Sequence, residues 1–119
     1  MQPHTRAMVA AAAYAFISGQ KVAGMHDHSS ASDLQIAAEA RGSQLQGYDG
    51  DRGTQFGGAL PELYDVGEQA YVSLEINGSE ASGFDRRSSN AYTAQVSAGR
   101  VQLYDYGPGA WFTFDIQVA

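Results

Sequence analysis

Five aspartates stand at near-regular intervals in this chain. Asp27, Asp49, Asp65, Asp85 and Asp105 are separated by 22, 16, 20 and 20 residues. Hard cations prefer oxygen ligands, and carboxylates gathered in one place repel one another unless a cation or hydrogen bonds compensate them. The series is therefore a candidate metal or polyol site. The competing chemistry is local. An aspartate at the start of a loop accepts hydrogen bonds from nearby backbone N–H groups and so shapes its own turn. Repetition favours the local role, because tandem copies demand the same turn chemistry each time.

The residues before these aspartates are His26, Tyr48, Tyr64, Phe84 and Tyr104. Tyr48, Tyr64, Phe84 and Tyr104, with Trp111, are the candidate ligand-binding residues; Val66, Tyr71 and Tyr106 share their face. Exposed aromatic stripes stack on sugar rings or form a partner interface. The alternative is cross-strand aromatic pairing that only stabilises a sheet, or a bulge that turns the rings inward.

Other constellations are thinner. His26-Asp27-His28 puts two imidazoles on one strand face, half of a metal site, and surface histidines are the plainer reading. Asp49-Gly50-Asp51-Arg52-Gly53 is similar to the start of a calcium loop but has Leu60 where the bidentate glutamate belongs, so a plain turn is expected. Arg86-Arg87 is too small a basic patch for phosphate, and Asn77-Gly78-Ser79 is a sequon that also reads as a hairpin turn. No nucleophile elbow, phosphate loop or zinc-protease motif occurs.

What must position these residues is a repeated hairpin. Two and four residues before the aspartates stand Met25, Gly47, Leu63, Gly83 and Leu103, and Ala23, Leu45, Pro61, Ala81 and Val101. Seven, nine and eleven residues after them the apolar alternation resumes, as in Val72, Leu74, Ile76 and in Phe112, Phe114, Ile116. Alternation of period two marks half-buried strands. Loops such as Gly50–Gly53 and Gly107-Pro108-Gly109 follow the aspartates, and turns such as Arg41-Gly42, Asn77-Gly78 and Ala98-Gly99 join the copies. The fold class expected is mostly β: an antiparallel meander of about ten short strands over residues 21–119. Such a meander hides its edges by closing into a barrel or by curving strongly. Two stretches weaken the pattern: Gly57-Gly58, a bulge or frayed strand, and Leu34 to Ala40, which is helix-friendly.

Residues 5–18, TRAMVAAAAYAFIS, predict a helix with Thr5 as N-cap and Gly19 as stop. It has almost no polar face, and a helix apolar all round is normally buried. Small inward residues such as Ala23, Gly47, Gly58, Ala81, Gly83 and Ala94 leave room for it inside the sheet. The rival reading is a secretory signal with Arg6 as its basic region and Ala13-Tyr14-Ala15 as its cleavage site.

Composition narrows the functions. The chain has 119 residues, read as one domain, and 44% of them are hydrophobic, which suits a folded core. Net charge is −6, with no footprint for nucleic acid or anionic lipid, and no apolar run reaches the about 20 residues of a membrane helix. Cysteine is absent, so disulfides and thiolate chemistry are excluded. The cytoplasm is the expected compartment ahead of secretion, and no cofactor is expected. The repeat length and hairpin style are similar to those of some cell-wall-binding modules, which recognise choline or glycan. Their tryptophan-rich signature is missing here, Trp111 being the sole tryptophan. Polar residues repeat evenly instead of converging on one point, which ranks catalysis last. The expected function is a noncatalytic binding or self-associating module using the aromatic face, with carbohydrate, a small molecule or a second copy as partner. The alternative is a small-ligand or cation site in an acidic barrel mouth.

Overall fold

The computed structural model describes residues 1–119. Helix α1 (Pro3–Ser18) is followed by β1 (Val22–Asp27), β2 (Ser32–Leu34), β3 (Ile36–Arg41), β4 (Gln44–Asp49), β5 (Thr54–Ala59) and β6 (Glu62–Asp65). Then come β7 (Ala70–Ser73), β8 (Glu75–Asn77), β9 (Glu80–Asp85), β10 (Asn90–Ser97), β11 (Arg100–Asp105) and β12 (Ala110–Val118). Segments β2 and β3 are one strand broken at Gln35, and β7 and β8 are one strand broken at Leu74, so the wall has ten strands. Each is antiparallel to the next. Last strand β12 pairs with first strand β1, from Val22↔Val118 to Asp27↔Phe114. The sheet is therefore a closed barrel. Closure lets the two end strands satisfy each other's edges, which a curved open sheet leaves unpaired.

Helix α1 fills the barrel. Every residue from Ala7 to Ala15 is at most 3% exposed. An ordinary helix is about 10–12 Å across with its side chains, and alanines make a thinner rod. The facing wall is thin too: Ala38, Ala81 and Ala94 are buried, and the helix packs chiefly on β3 and β11. The segment that reads as either helix or signal is thus the centre of the core. It begins at Pro3, with Gln2 as N-cap; Thr5 is not the cap but lies buried in the first turn, its N–H donating to the Gln2 carbonyl. Proline without an N–H suits the first helical position, which explains the earlier start. Gly19 ends the helix in the left-handed conformation (φ 71°), its N–H bonded to the Ala15 carbonyl at 3.1 Å.

The wall follows the period-two reading with local departures. In β1 a bulge between Val22 and Gly24 puts Val22 inward and leaves Ala23 exposed, against expectation. Pro61 and Ile76 also face solvent instead of the core. Leu34 and Ile36 to Ala40 are strand, not helix, because Ile36 to Arg41 pairs residue for residue with β4. At the break in the sixth strand Leu74 turns fully inward, and its N–H bonds to the Pro61 carbonyl at 2.7 Å. The Ser73 carbonyl accepts from the buried Tyr92 hydroxyl at 2.7 Å, and burial pushes that hydroxyl's pKa up. Gly83 is obligatory beneath this contact, since a Cβ there would lie 1.8 Å from the Ser73 oxygen.

Candidate functional site

All five repeated aspartates are buried at the same end of the barrel, each closing its own loop. In every copy the aspartate Oδ1 accepts the N–H two residues on: Ser29, Asp51, Gly67, Arg87 and Gly107, at 2.9–3.1 Å. Four residues after each aspartate stands a left-handed residue: Ala31, Gly53, Gln69, Ser89 and Gly109. The local turn chemistry is thus repeated faithfully, although glycine supplies the left-handed residue in only two copies.

The second carboxylate oxygens differ from copy to copy. Arg52 reaches Asp49 at 2.7 Å and Asp65 at 3.1 Å, tying two copies together. Burial by itself would lower the pKa of this guanidinium, but hydrogen bonds and charge from Asp49 and Asp65 outweigh it and hold it above its ordinary value. Asp105 takes the Met1 ammonium at 2.8 Å and Arg6 at 3.4 Å. Asp85 accepts the Ser88 hydroxyl at 2.6 Å. No three acids or histidines gather where they could hold a metal ion, so the five-aspartate metal site that spacing suggests is not assembled. The calcium-like loop resolves in the same way: its Asp49 and Asp51 bond to backbone N–H groups. His26 and His28 are in edge contact at 5.5 Å, yet each pairs with its own carboxylate, Asp33 or Asp115.

The candidate ligand residues do face outward. Tyr48, Phe84 and Trp111 are exposed and Tyr64 and Tyr104 half-buried, near the aspartate end of their strands. Closure spreads them around the wall, so they form no single site. Tyr64 meets Tyr71 edge-on at 4.8 Å; Tyr104 meets Tyr106 at 4.8 Å and Trp111 at 5.1 Å; Phe84 has no ring partner. Tyr64↔Tyr71 and Tyr104↔Trp111 are direct cross-strand pairs, so part of the series is sheet stabilisation.

Tyr48 and Tyr64 share something more: both line a groove of about 540 Å³ on the outer wall across β3 to β6. Its floor is open because Ala37 and Gly57 present almost no side chain between the rings. Gly57 (φ 155°) admits no other residue without a backbone shift, since a Cβ would sit 2.3 Å from the Leu45 oxygen. Gln46, Gln55, Glu39 and Lys21 supply polar groups along the groove. Spacing along the chain does not single out these four. The register does, by setting Tyr48 opposite Gln55 and Gln46 opposite Gly57. An outward-parity rule applied across paired strands would find the glutamines. No family model matches this chain, and no curated protein or solved structure matches it either.

Proposed function

We propose that the protein is a noncatalytic binding module whose outer-wall groove takes a carbohydrate. The observation that carries this reading is the pairing of Tyr48 and Tyr64 around a side-chain-free floor, with amides and a carboxylate beside them. Aromatic faces pack against the C–H faces of sugar rings, while Gln46 and Gln55 can donate to and accept from hydroxyls. Cleavage is disfavoured on chemical grounds. Glycoside hydrolysis uses two carboxyl groups flanking the bond, and this groove has one, Glu39, which is held by Arg41 at 3.0 Å.

The test is a glycan array followed by titration calorimetry on any glycan retained. Tyr48→Ala and Tyr64→Ala should each weaken binding at least about tenfold, equivalent to about 1.4 kcal/mol. Retention of no glycan, combined with a dimer in size-exclusion chromatography that Trp111→Ala dissolves, would transfer the function to self-association through the Tyr104, Tyr106 and Trp111 cluster.

A further inference from the structure

The barrel mouth holds a second cavity, of about 270 Å³, between the first turn of α1 and the loops that follow β1 and β4. Asp27 lines it and is only 5% exposed. Among the five repeated aspartates Asp27 is the exception. Its Oδ1 accepts the Ser29 N–H and hydroxyl, at 2.9 and 2.8 Å, and its Oδ2 has no partner in the protein. In the other four both oxygens are bonded. No protein cation is free to approach it. All six arginines pair with other carboxylates, and the single lysine, Lys21, precedes β1 at the opposite end of the barrel. Arg52 borders the cavity but is committed to Asp49 and Asp65, and Asp51 accepts the Gln35 N–H. No side-chain oxygen of the protein is both fully buried and unpartnered, so the free Asp27 Oδ2 opens onto the cavity, where an approaching donor can reach it.

We propose that this cavity is a binding site for a small organic ammonium ion, whose N–H groups meet Asp27 and whose apolar body lies on Ala7, Leu34 and Ile36. The hydroxyls of Ser30 and Ser32 border the same space and can accept the remaining N–H donors. An inorganic divalent ion fits less well: it takes six or more oxygens, and although Asp49 and Asp51 also line the cavity they are bonded to Arg52 and backbone N–H groups and are not placed with Asp27 to hold a metal. The volume is roughly that of nine waters, which suits a compact amine. This site is distinct from the outer-wall groove, and neither depends on the other.

The experiment titrates the protein with cyclohexylammonium, cyclohexanol, cyclohexanecarboxylate and calcium chloride, following the methyl resonances of Leu34 and Ile36. Cyclohexylammonium should give saturable shifts at both residues, and the alcohol and carboxylate should bind at least tenfold more weakly. Asp27→Asn should weaken the amine at least tenfold; asparagine keeps the turn-forming acceptor, so the fold is preserved. Ser32 is the direct cross-strand partner of Asp27, so Ser32→Lys places an ammonium beside it. That variant should melt higher and lose the amine. The proposal is overturned if the amine produces no saturable shift, if Asp27→Asn or Ser32→Lys binds it as well as the parent, or if calcium alone saturates the site.

Discussion

The two sides of the barrel wall are built differently. From β9 to β12 the strands meet along unbroken ladders, with six paired positions between β9 and β10, between β10 and β11, and between β11 and β12. On the other side β5 meets β6 at two positions, and the broken strand meets β9 at one position through β7 and three through β8. The tight side carries alternating residues and glycine turns that let each strand run its full length. The loose side carries Gly57-Gly58 and the break at Leu74. The outer groove runs from the six-position ladders of β3–β4 and β4–β5 onto the short β5–β6 seam. Its concavity comes from the small residues Ala37 and Gly57, which sit within continuous ladders and leave space between the rings.

Several experiments break or sharpen this contrast. The largest effect comes from removing what both sides share. Deleting residues 1–18 withdraws the buried run Ala7–Ala15 and should abolish cooperative unfolding and the β spectrum by circular dichroism. A truncated chain with unchanged melting would contradict the packed central helix. Next, Asp105→Asn should cost about 3 kcal/mol in denaturant melts, because Arg6 and the Met1 ammonium lose their buried partner. Asp27→Asn should cost less than about 1 kcal/mol or be stabilising, since it removes a charge that no protein cation balances. Equal costs would erase the distinction between the two aspartates. Hydrogen exchange then compares the walls directly: amides of β6 and β7 should open at lower free energy than those of β10 and β11. Uniform protection would refute the loose seam.

The smallest effect is a pH dependence. Hydrogen bonds from Arg100 and His28 hold the Asp115 carboxyl below its ordinary value of 3.8. The native state therefore favours the charged form. Its contribution is present above 3.8 and is lost as pH falls through the lower native value. A melting-temperature decline below that pH should be shallower in Asp115→Asn.

Much of the fold is legible in the residues. The aspartate series marks five loops, the alternation around it marks the strands, and the apolar run ending at Gly19 marks a buried helix. The outward direction of Tyr48 and Trp111 follows from the same parity. The bulge that turns Ala23 out and Val22 in is not legible, because β1 acquires it by pairing with β12, about ninety residues away. The left-handed residues Ala31, Gln69 and Ser89 escape a reading that looks for glycine, since each is imposed by a loop the neighbouring strands hold closed. The groove escapes as well: Tyr48, Gln55, Gly57 and Tyr64 meet only once three strands are in register.

By itself the sequence determined the repeat unit, the inward and outward faces, the turn chemistry of each aspartate and the helix. All of these are local, set by period and by hydrogen bonds within a few residues. Tertiary structure alone decided that the sheet closes, which aspartates receive a cation and which aromatic rings share a groove. Those outcomes depend on long-range strand register and on a handful of arginines with more carboxylates to reach than they can serve.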